Sequence, residues 1–536
     1  MNTLYLGDCL NVLRDNIPDE SVDLVYIDPP FNSKRNYNIF FDDKEIQTQR
    51  IAFEDTWTLQ NIQDSLAELH TIETDNLYFL LLTYQKVAPH AFPYLTMMTL
   101  RILELHRVLK PTGSFYLHCD PTMSHYLKTV CDLIFGPKNI VNEIIWKRSH
   151  SHSDTKQGAS HLGRLHDVIL FYAKTEDYFF NMQYVAYEQK YIDTYYKFIE
   201  EGTGRRYWLD NLQGPGGAAK GNPYYEVMGI KRYWRYSKEK MNKLIAEGRI
   251  IQTNPGTVPK YKRYLDEMKG KPLQDIWDDL KSLGGLGSKT KERLGYPTQK
   301  PKALLERIIK VSSNEGDTIL DGFCGCGTTL DAAESLHRNW IGVDISPIAI
   351  SLIKRRLKNA FGESVSKFEV RGTPTTENSA KALWKQNPFA FEDWWLTEFE
   401  VFATTYGTKG ADKGIDGLAQ YLVDPKEQKV IRAAFQVKGG KHIQSKDIDA
   451  LLGAMEKHKC ELGVFLTITK PTKPMLDTVA GSGFIEVPGH KYPRLQILTL
   501  KEYYQNKQLK LPSVNITFKA AQLKGKKKKN QIKMEL

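Results

Sequence analysis

"DTILDGFCGCGTTLDAAESLHRNWIGVDISPIAI", residues 317–350, reads in succession as strand, glycine turn, helix, strand and helix. The apolar run before Asp321 is short enough for a buried strand. Gly325 and Gly327 permit a tight turn and close approach of a ligand to the backbone. Asp344 ends the next apolar run 23 residues after Asp321, and Ser346 and Pro347 stand where a helix is capped and begun. Strands alternating with helices at this spacing predict a doubly wound α/β sheet, whose ligands sit at the carboxyl ends of its strands.

A second stretch, "SVDLVYIDPPFN" (residues 21–32), has the same grammar. Val22 to Ile27 is almost continuously apolar, as a parallel strand buried on both faces would be. Pro29 and Pro30 cannot donate to a ladder, so they end the strand and stiffen its exit, leaving Asp28 at the carboxyl end. Further on, residues 94–109 predict a helix stopped by "KPTG" with Gly113 as C-cap, and "SFYLHCD" (residues 114–120) predicts another strand.

The chain has 536 residues, room for two to four domains, and its 41% hydrophobic content with 28 Tyr and 9 Trp is that of a globular protein. No apolar run reaches membrane-spanning length, and the first residues lack the regions of a signal peptide, so a cytoplasmic protein without a membrane partner is expected. Six scattered cysteines predict reduced thiols. The net charge of +11 includes six lysines and one glutamate after residue 523, a solvated tail, yet a basic body with a basic tail favours a polyanionic partner. "GLGSKT" (residues 285–290) has Ser288 where a P-loop needs glycine, which argues against an ATP-driven motor. Cys324 and Cys326 lack a second pair for zinc, and His150, His152, His161 and His166 show no ligand spacing.

Residues 150–290 break the α/β rhythm with "RRYWLDN" (205–211), "IKRYWRYSKEK" (230–240) and "KYKRY" (260–264). Basic residues interleaved with aromatics grip phosphates and stack on bases. The plainer alternative is an amphipathic surface whose lysine and arginine stems cover apolar area. Residues 372–387 are polar and read as a linker. Beyond it, residues 391–403 predict a helix, 410–422 a turn and strand, and 429–440 a second strand, so Asp416 and Lys438 fall on adjacent strands of a hairpin.

The glycine loop lacks the third glycine of a dinucleotide fingerprint, and an adenosine cofactor without a pyrophosphate fits it better. With DPPF at residues 28–31, YPTQKP at 296–301 and DGFCGCGTT at 321–329 in that order, the chain resembles the β group of amino-methylating DNA methyltransferases. GDCLNVL (7–13), FNSKRNYN (31–38) and NEIIWKR (142–148) are similar to that group too, and the resemblance covers about residues 1–370. Gly322 departs from the proline usual after the motif's aspartate, but glycine also permits the turn.

The resemblance implies a Rossmann-like sheet, S-adenosylmethionine as cofactor, double-stranded DNA as partner and a target-recognition insertion at 150–290, between catalytic (1–149) and cofactor (291–371) halves. Asp28 and the Pro29 carbonyl would accept the N–H bonds of an exocyclic amine, Pro30 would hold the turn stiff, and Phe31 would stack on the flipped base. Asp344 would bind the cofactor ribose and Asp8 its adenine amine. Asp321, Phe323, Gly325, Gly327 and Thr328 would shape the loop, with Thr298 and Lys300 at the methionine carboxylate. Cytosine C5 chemistry needs a nucleophilic cysteine, usually after proline, and the chain has no Pro-Cys pair. Aspartate in first place resembles adenine-N6 enzymes, and N4-cytosine is the alternative.

About residues 388–512 resemble the Mrr-like branch of the PD-(D/E)xK nucleases, with Asp416, Gln436 and Lys438 matching the motif and Glu392 the helix glutamate. There Asp416 and the Val437 carbonyl would ligate Mg²⁺ while Lys438 orients water, Gln436 replacing the usual second carboxylate. The expected activity is adenine-N6 methylation within a restriction–modification system. Its rivals are a bifunctional enzyme that also cuts unmodified DNA, and a C-terminal domain that only docks on DNA. A dimer is compatible with either.

Overall fold

The computed structural model describes residues 1–30, 36–43, 46–54, 63–71, 75–148, 162–283, 292–294, 296, 299–403, 415–424, 427, 429–440 and 442–515. Phe31, Thr298, residues 285–290 and the lysine-rich tail lie outside them. Nine strands form one sheet: β1 (Asn2–Leu6), β2 (Val22–Ile27), β3 (Leu109–Cys119), β4 (Ile140–Lys147), β5 (His166–Ala173), β6 (Ile276–Trp277), β7 (Thr318–Asp321), β8 (Asn339–Asp344) and β9 (Phe368–Arg371). Their order is β6-β4-β5-β3-β2-β7-β8-β1-β9. Neighbours are parallel except around β5, which runs antiparallel to both β3 and β4.

The four central strands β2, β7, β8 and β1 are parallel, so their carboxyl ends share one edge. Leu24, Val25, Tyr26 and Ile27 of β2 are all buried, as a strand covered on both faces requires. Around the sheet lie α1 (Cys9–Asn16), α2 (Phe92–Val108), α3 (Ser124–Phe135), α4 (Lys302–Ser312), α5 (Thr328–Ser335) and α6 (Pro347–Phe361). Buried residues of α2, including Tyr94, Met98 and Ile102, pack into the main core with Leu13, Val25 and Phe115. The helix ends at Val108 with Leu109 already extended, and β3 runs straight through "KPTG". Gly113 is therefore no cap. A Cβ there would stand 2.8 Å from Leu109 Cδ2 and 2.9 Å from the Lys110 carbonyl, so close packing is what demands glycine.

The strands 166–173 and 276–277 belong to this sheet, and the compact unit of the insertion is Met182–Gln274, narrower than composition suggested. By itself that unit holds a four-stranded sheet (Ile250–Ile251, Lys260–Tyr264, Arg206–Asn211, Phe198–Ile199 in order), a hairpin of Tyr224–Val227 with Ile230–Tyr233, and a helix, Lys238–Ala246. Leu212, Val227, Trp234, Met241 and Ile250 form its own small core.

The C-terminal α/β domain begins earlier than expected. Within the stretch read as a linker, α7 (Glu377–Gln386) is held by a Thr376 capping box and buries Ala380 in the domain core, with Leu383 and Trp384 against it. Next come α8 (Pro388–Thr397), β10 (Phe402–Ala403), β11 (Gly417–Asp424), β12 (Lys429–Lys438), α9 (Ser445–Lys457), β13 (Leu462–Thr467), α10 (Lys473–Gly481) and β14 (Leu495–Thr499). The sheet order is β10-β11-β12-β13-β14, with β11 and β12 an antiparallel hairpin and β12, β13 and β14 parallel. The expected helix 391–403 is shifted: it starts at Pro388, capped by Asn387, and ends at Thr397.

Candidate active site

Asp28 leaves β2 at the shared carboxyl edge, and its carboxylate is divided between two situations. Oδ2 accepts from the Lys300 ammonium at 2.6 Å. Oδ1 is buried and has no hydrogen-bond partner among the described residues. An unpaired buried acceptor is costly unless a ligand fills it, so Oδ1 marks where a donor belongs. Pro29 is buried and Pro30 half-buried behind it. Lys300 itself is buried, just ahead of α4, and couples electrostatically to Asp167 as well.

Beneath this turn runs a buried polar chain that the sequence did not announce. The Tyr26 hydroxyl lies 2.9 Å from His118 Nδ1, and His118 Nε2 lies 3.2 Å from Asp167 Oδ2. Burial alone would raise Asp167, but its His118 bond and the Lys300 and Arg148 charges outweigh that and hold it below the usual carboxylate range. The chain ties β2, β3 and β5 together two residues before Asp28.

The glycine loop is built around two acids. Asp321 is buried, with Oδ1 accepting from Phe323 N at 3.0 Å and Oδ2 from Thr329 Oγ1 at 2.5 Å. Burial pushes it up to about 7. Asp344 accepts from Gly325 N (2.8 Å) and Ser346 N (2.8 Å), and burial pushes it up to about 6. Ser346 sits at the cap position of α6 without a side-chain cap bond, and its own backbone N–H donates to Asp344. Each Asp344 oxygen keeps a lone pair for a further donor. Gly327 has φ +75 and would drive a Cβ to 2.6 Å from Ile353 Cγ1 of α6.

Other predicted residues serve as struts. Thr328 is buried and its Oγ1 accepts from Arg356 Nη1 at 2.8 Å, the same group that reaches the Cys326 carbonyl at 2.9 Å. Asp8 caps α1 through Oδ1, with Leu10 N at 3.0 Å, and its Oδ2 pairs with Arg101 at 2.5 Å. Phe323 is half-buried against the main core. Sequence reasoning missed Arg101, Arg356, the packing of the Tyr296 ring against Gly325, and Ile345, which is 66% exposed beside Asp344. A lone apolar residue after a strand-ending acid was the available signal for Ile345.

In the C-terminal domain, Asp416 precedes β11, donates its N–H to the Phe435 carbonyl (2.8 Å) and accepts from Val437 N through Oδ2 (2.7 Å). Gln436 is buried with its Oε1 unpartnered among the described residues, and Lys438 ends β12 half-buried. Glu392 is half-buried on α8, which packs against β12. No group of three or more His, Cys, Asp or Glu side chains converges among the described residues. None of their helices is long and apolar enough to cross a membrane. All six cysteines are free and buried.

The model of a DNA methylase family matches residues 22–355, well over half of the chain, and that of a restriction endonuclease family matches residues 385–487. The chain is 31% identical over 267 residues to the type II methyltransferase M.EcaI of Enterobacter cloacae, covering 49% of this chain and 57% of that protein. It is 28% identical over 348 residues to the Mod subunit of the type III restriction-modification enzyme StyLTI of Salmonella typhimurium, 63% of this chain and 50% of that protein. It is 26% identical over 376 residues to the DNA adenine methyltransferase YhdJ of Escherichia coli, 69% of this chain and 88% of that protein. The chain thus spans about half the length of the first two of these relatives. Its parallel strands deliver the DPP turn and the glycine loop to one edge, and the chain belongs to the N6/N4 DNA methylases, with a domain of the Mrr restriction-endonuclease family following.

Proposed function

We propose that the chain transfers a methyl group from S-adenosylmethionine to the N6 amine of an adenine flipped out of duplex DNA. The observation that carries this reading is the Oδ1 of Asp28, buried and unpartnered among the described residues, beside a carboxylate oxygen already held by Lys300. The residues around it fit the cofactor. Asp344 has lone pairs for ribose hydroxyls, Ile345 offers an exposed apolar face for adenine, and the positive-φ glycines let a ligand approach the backbone. When bound, S-adenosylmethionine supplies an electrophilic methyl on a sulfonium.

An exocyclic amine is a poor nucleophile because its lone pair is delocalised into the ring. Asp28 Oδ1 and the Pro29 carbonyl accept its two N–H bonds, so the nitrogen pyramidalises and its lone pair points along one path. Once the nitrogen bears positive charge it is strongly acidic, and the Asp28 carboxylate takes the leaving proton. Lys300 keeps that carboxylate aimed. Phe31 follows in the chain and stacks on the flipped base. Adenine is favoured over cytosine N4 by the aspartate in first place. The six buried free thiols suit the reducing cytoplasm, where the substrate DNA also resides.

A second activity has its own support. Gln436 Oε1 is buried and unpartnered among the described residues, one position before Val437, whose N–H donates to Asp416, and a hard cation such as Mg²⁺ takes oxygen ligands. Asp416, Gln436 and the Val437 carbonyl would hold it, with Lys438 orienting water. On this second reading the two domains together would mark DNA and cut it where it is unmarked. The test is transfer of isotope-labelled methyl groups into plasmid DNA, with and without Asp28→Ala. Label in the wild type alone supports the reading; equal label in the variant, or none in either, overturns it.

A further inference from the structure

The basic residues of the insertion divide into two populations. In and beside the four-stranded sheet the arginines and Lys262, though not Lys260, are paired internally among the described residues: Arg205 with Asp266 (2.8 Å) and Glu267 (2.8 Å), Lys262 with Glu200 (2.9 Å), Arg263 with Asp210 (2.6 Å), Arg206 with Asp193 (3.3 Å), and Arg249 with Glu267. The motifs "RRYWLDN" and "KYKRY", expected to grip phosphates, mostly hold this sheet together. Residues 214–246 differ, with seven basic and two acidic side chains. Among the described residues Lys220, Lys231, Arg232, Lys238, Lys240 and Lys243 form no ion pair, and all six are exposed.

These charges stand on a stiff ribbon. The hairpin pairs Tyr224 with Tyr233, Glu226 with Lys231 and Val227 with Ile230, so side chains sort by face. Val227, Ile230 and Tyr225 turn toward Trp234 and Met241 in the small core. The opposite face carries Tyr224 (55% exposed), Glu226, Lys231 and Tyr233. Met228 and Gly229 both have positive φ, +48 and +80, which makes the two-residue turn that matches strand twist and leaves a narrow tip. The preceding loop is pinned by Asn222, whose Nδ2 donates to the carbonyls of Pro215 (2.8 Å) and Gly217 (3.1 Å).

A two-stranded ribbon of this kind fits the major groove of B-form DNA. Lysine donates to guanine O6 and N7, and a carboxylate accepts from cytosine N4. We propose that the outward face of the Tyr224–Tyr233 hairpin reads base edges through Glu226 and Lys231, while Lys238, Lys240 and Lys243 on the following helix neutralise phosphates. This assignment rests on the reading that the chain methylates duplex DNA and names the surface that selects the site.

The full chain is tested as wild type, as Glu226→Gln/Lys231→Met, and as Lys238→Gln/Lys240→Gln/Lys243→Gln. Each protein methylates a plasmid, and the modified positions are mapped by sequencing. Binding is then followed by fluorescence anisotropy on a duplex carrying the mapped site and on a scrambled duplex, over a series of KCl concentrations. The triple variant is expected to keep the wild-type site, bind both duplexes more weakly, and lower the salt slope by about 2 to 3. The hairpin variant is expected to methylate a relaxed site and lose roughly tenfold or more of its preference for the mapped duplex. Variants that all retain the wild-type site, preference and salt slope overturn the assignment while leaving methylation intact. A wild type that binds cofactor and leaves the plasmid unmodified overturns the methylation reading, and this one with it.

Discussion

The Lys300 ammonium lies 2.6 Å from Asp28 Oδ2, two groups 272 positions apart in the chain, while the other oxygen of the same carboxylate is buried without a partner among the described residues. One side chain thus orients the carboxylate, and in the proposed mechanism its second lobe accepts from the amine. Lys300→Met is expected to lower kcat roughly 100-fold, in the range seen when one preorganised electrostatic group is removed. Lys300→Arg is expected to recover part of that loss. Single-turnover methylation with saturating cofactor checks this. A Met variant that loses only cofactor affinity would assign Lys300 to the methionine carboxylate alone.

The Asp344 carboxyl is pushed up to about 6 by burial, against an ordinary 3.8. In the proposed site its ionised form accepts ribose hydroxyls, and its protonated form gives up one acceptor. Affinity for S-adenosylmethionine is therefore expected to be flat above about pH 7 and to fall as the pH drops through 6. Calorimetric titrations between pH 5 and 8 measure this, and Asp344→Asn should flatten the dependence while binding more weakly throughout.

Asp321 has the opposite effect on the fold. Its carboxyl titrates near 7 when folded and near 3.8 when exposed, so between those values only the folded chain holds the proton. Its contribution to stability is full below about pH 4 and is lost as pH rises toward 7. Asp321→Asn, which can still accept from Phe323 N, is expected to gain stability relative to wild type over that window. Urea unfolding curves at pH 5 and pH 8 give the comparison, and a difference independent of pH would contradict it.

Gly327 combines φ +75 with a Cβ position 2.6 Å from Ile353 Cγ1. Gly327→Ala is expected to destabilise the fold by about 2–4 kcal/mol, from left-handed backbone and overpacking together. Thermal unfolding of the full chain checks it. An unchanged melting curve would show that α6 yields at that point.

Lys438→Ala is expected to abolish Mg²⁺-dependent nicking of unmethylated plasmid and leave methylation within about twofold, since its domain has a separate core. Agarose gels of supercoiled plasmid before and after premethylation give the readout. Nicking that survives the substitution would remove Lys438 from the reaction.

Much of this architecture was legible because strands buried on both faces leave unbroken apolar runs, as in Val22–Ile27 and the run before Asp321, and because glycine and proline punctuate their ends. Asp28, Asp321 and Asp344 each fell at a strand terminus for that reason. Gly113 misled because a glycine after a helix looks the same whether it caps or merely clears space beside Leu109. The linker reading failed at Ala380, since a short polar helix buries too few residues to show a period. The Lys300 bond to Asp28, the Tyr26–His118–Asp167 chain and the internal pairing of Arg205 and Arg263 join residues far apart in sequence. No local pattern encodes such pairs.

The most direct test of the central claim is mass spectrometry of nucleosides digested from unmodified DNA after incubation with isotope-labelled S-adenosylmethionine, using wild type and Asp28→Asn. The account predicts labelled N6-methyladenine from the wild type and none from the variant. Label confined to N4-methylcytosine, or label of equal amount from both proteins, would contradict it.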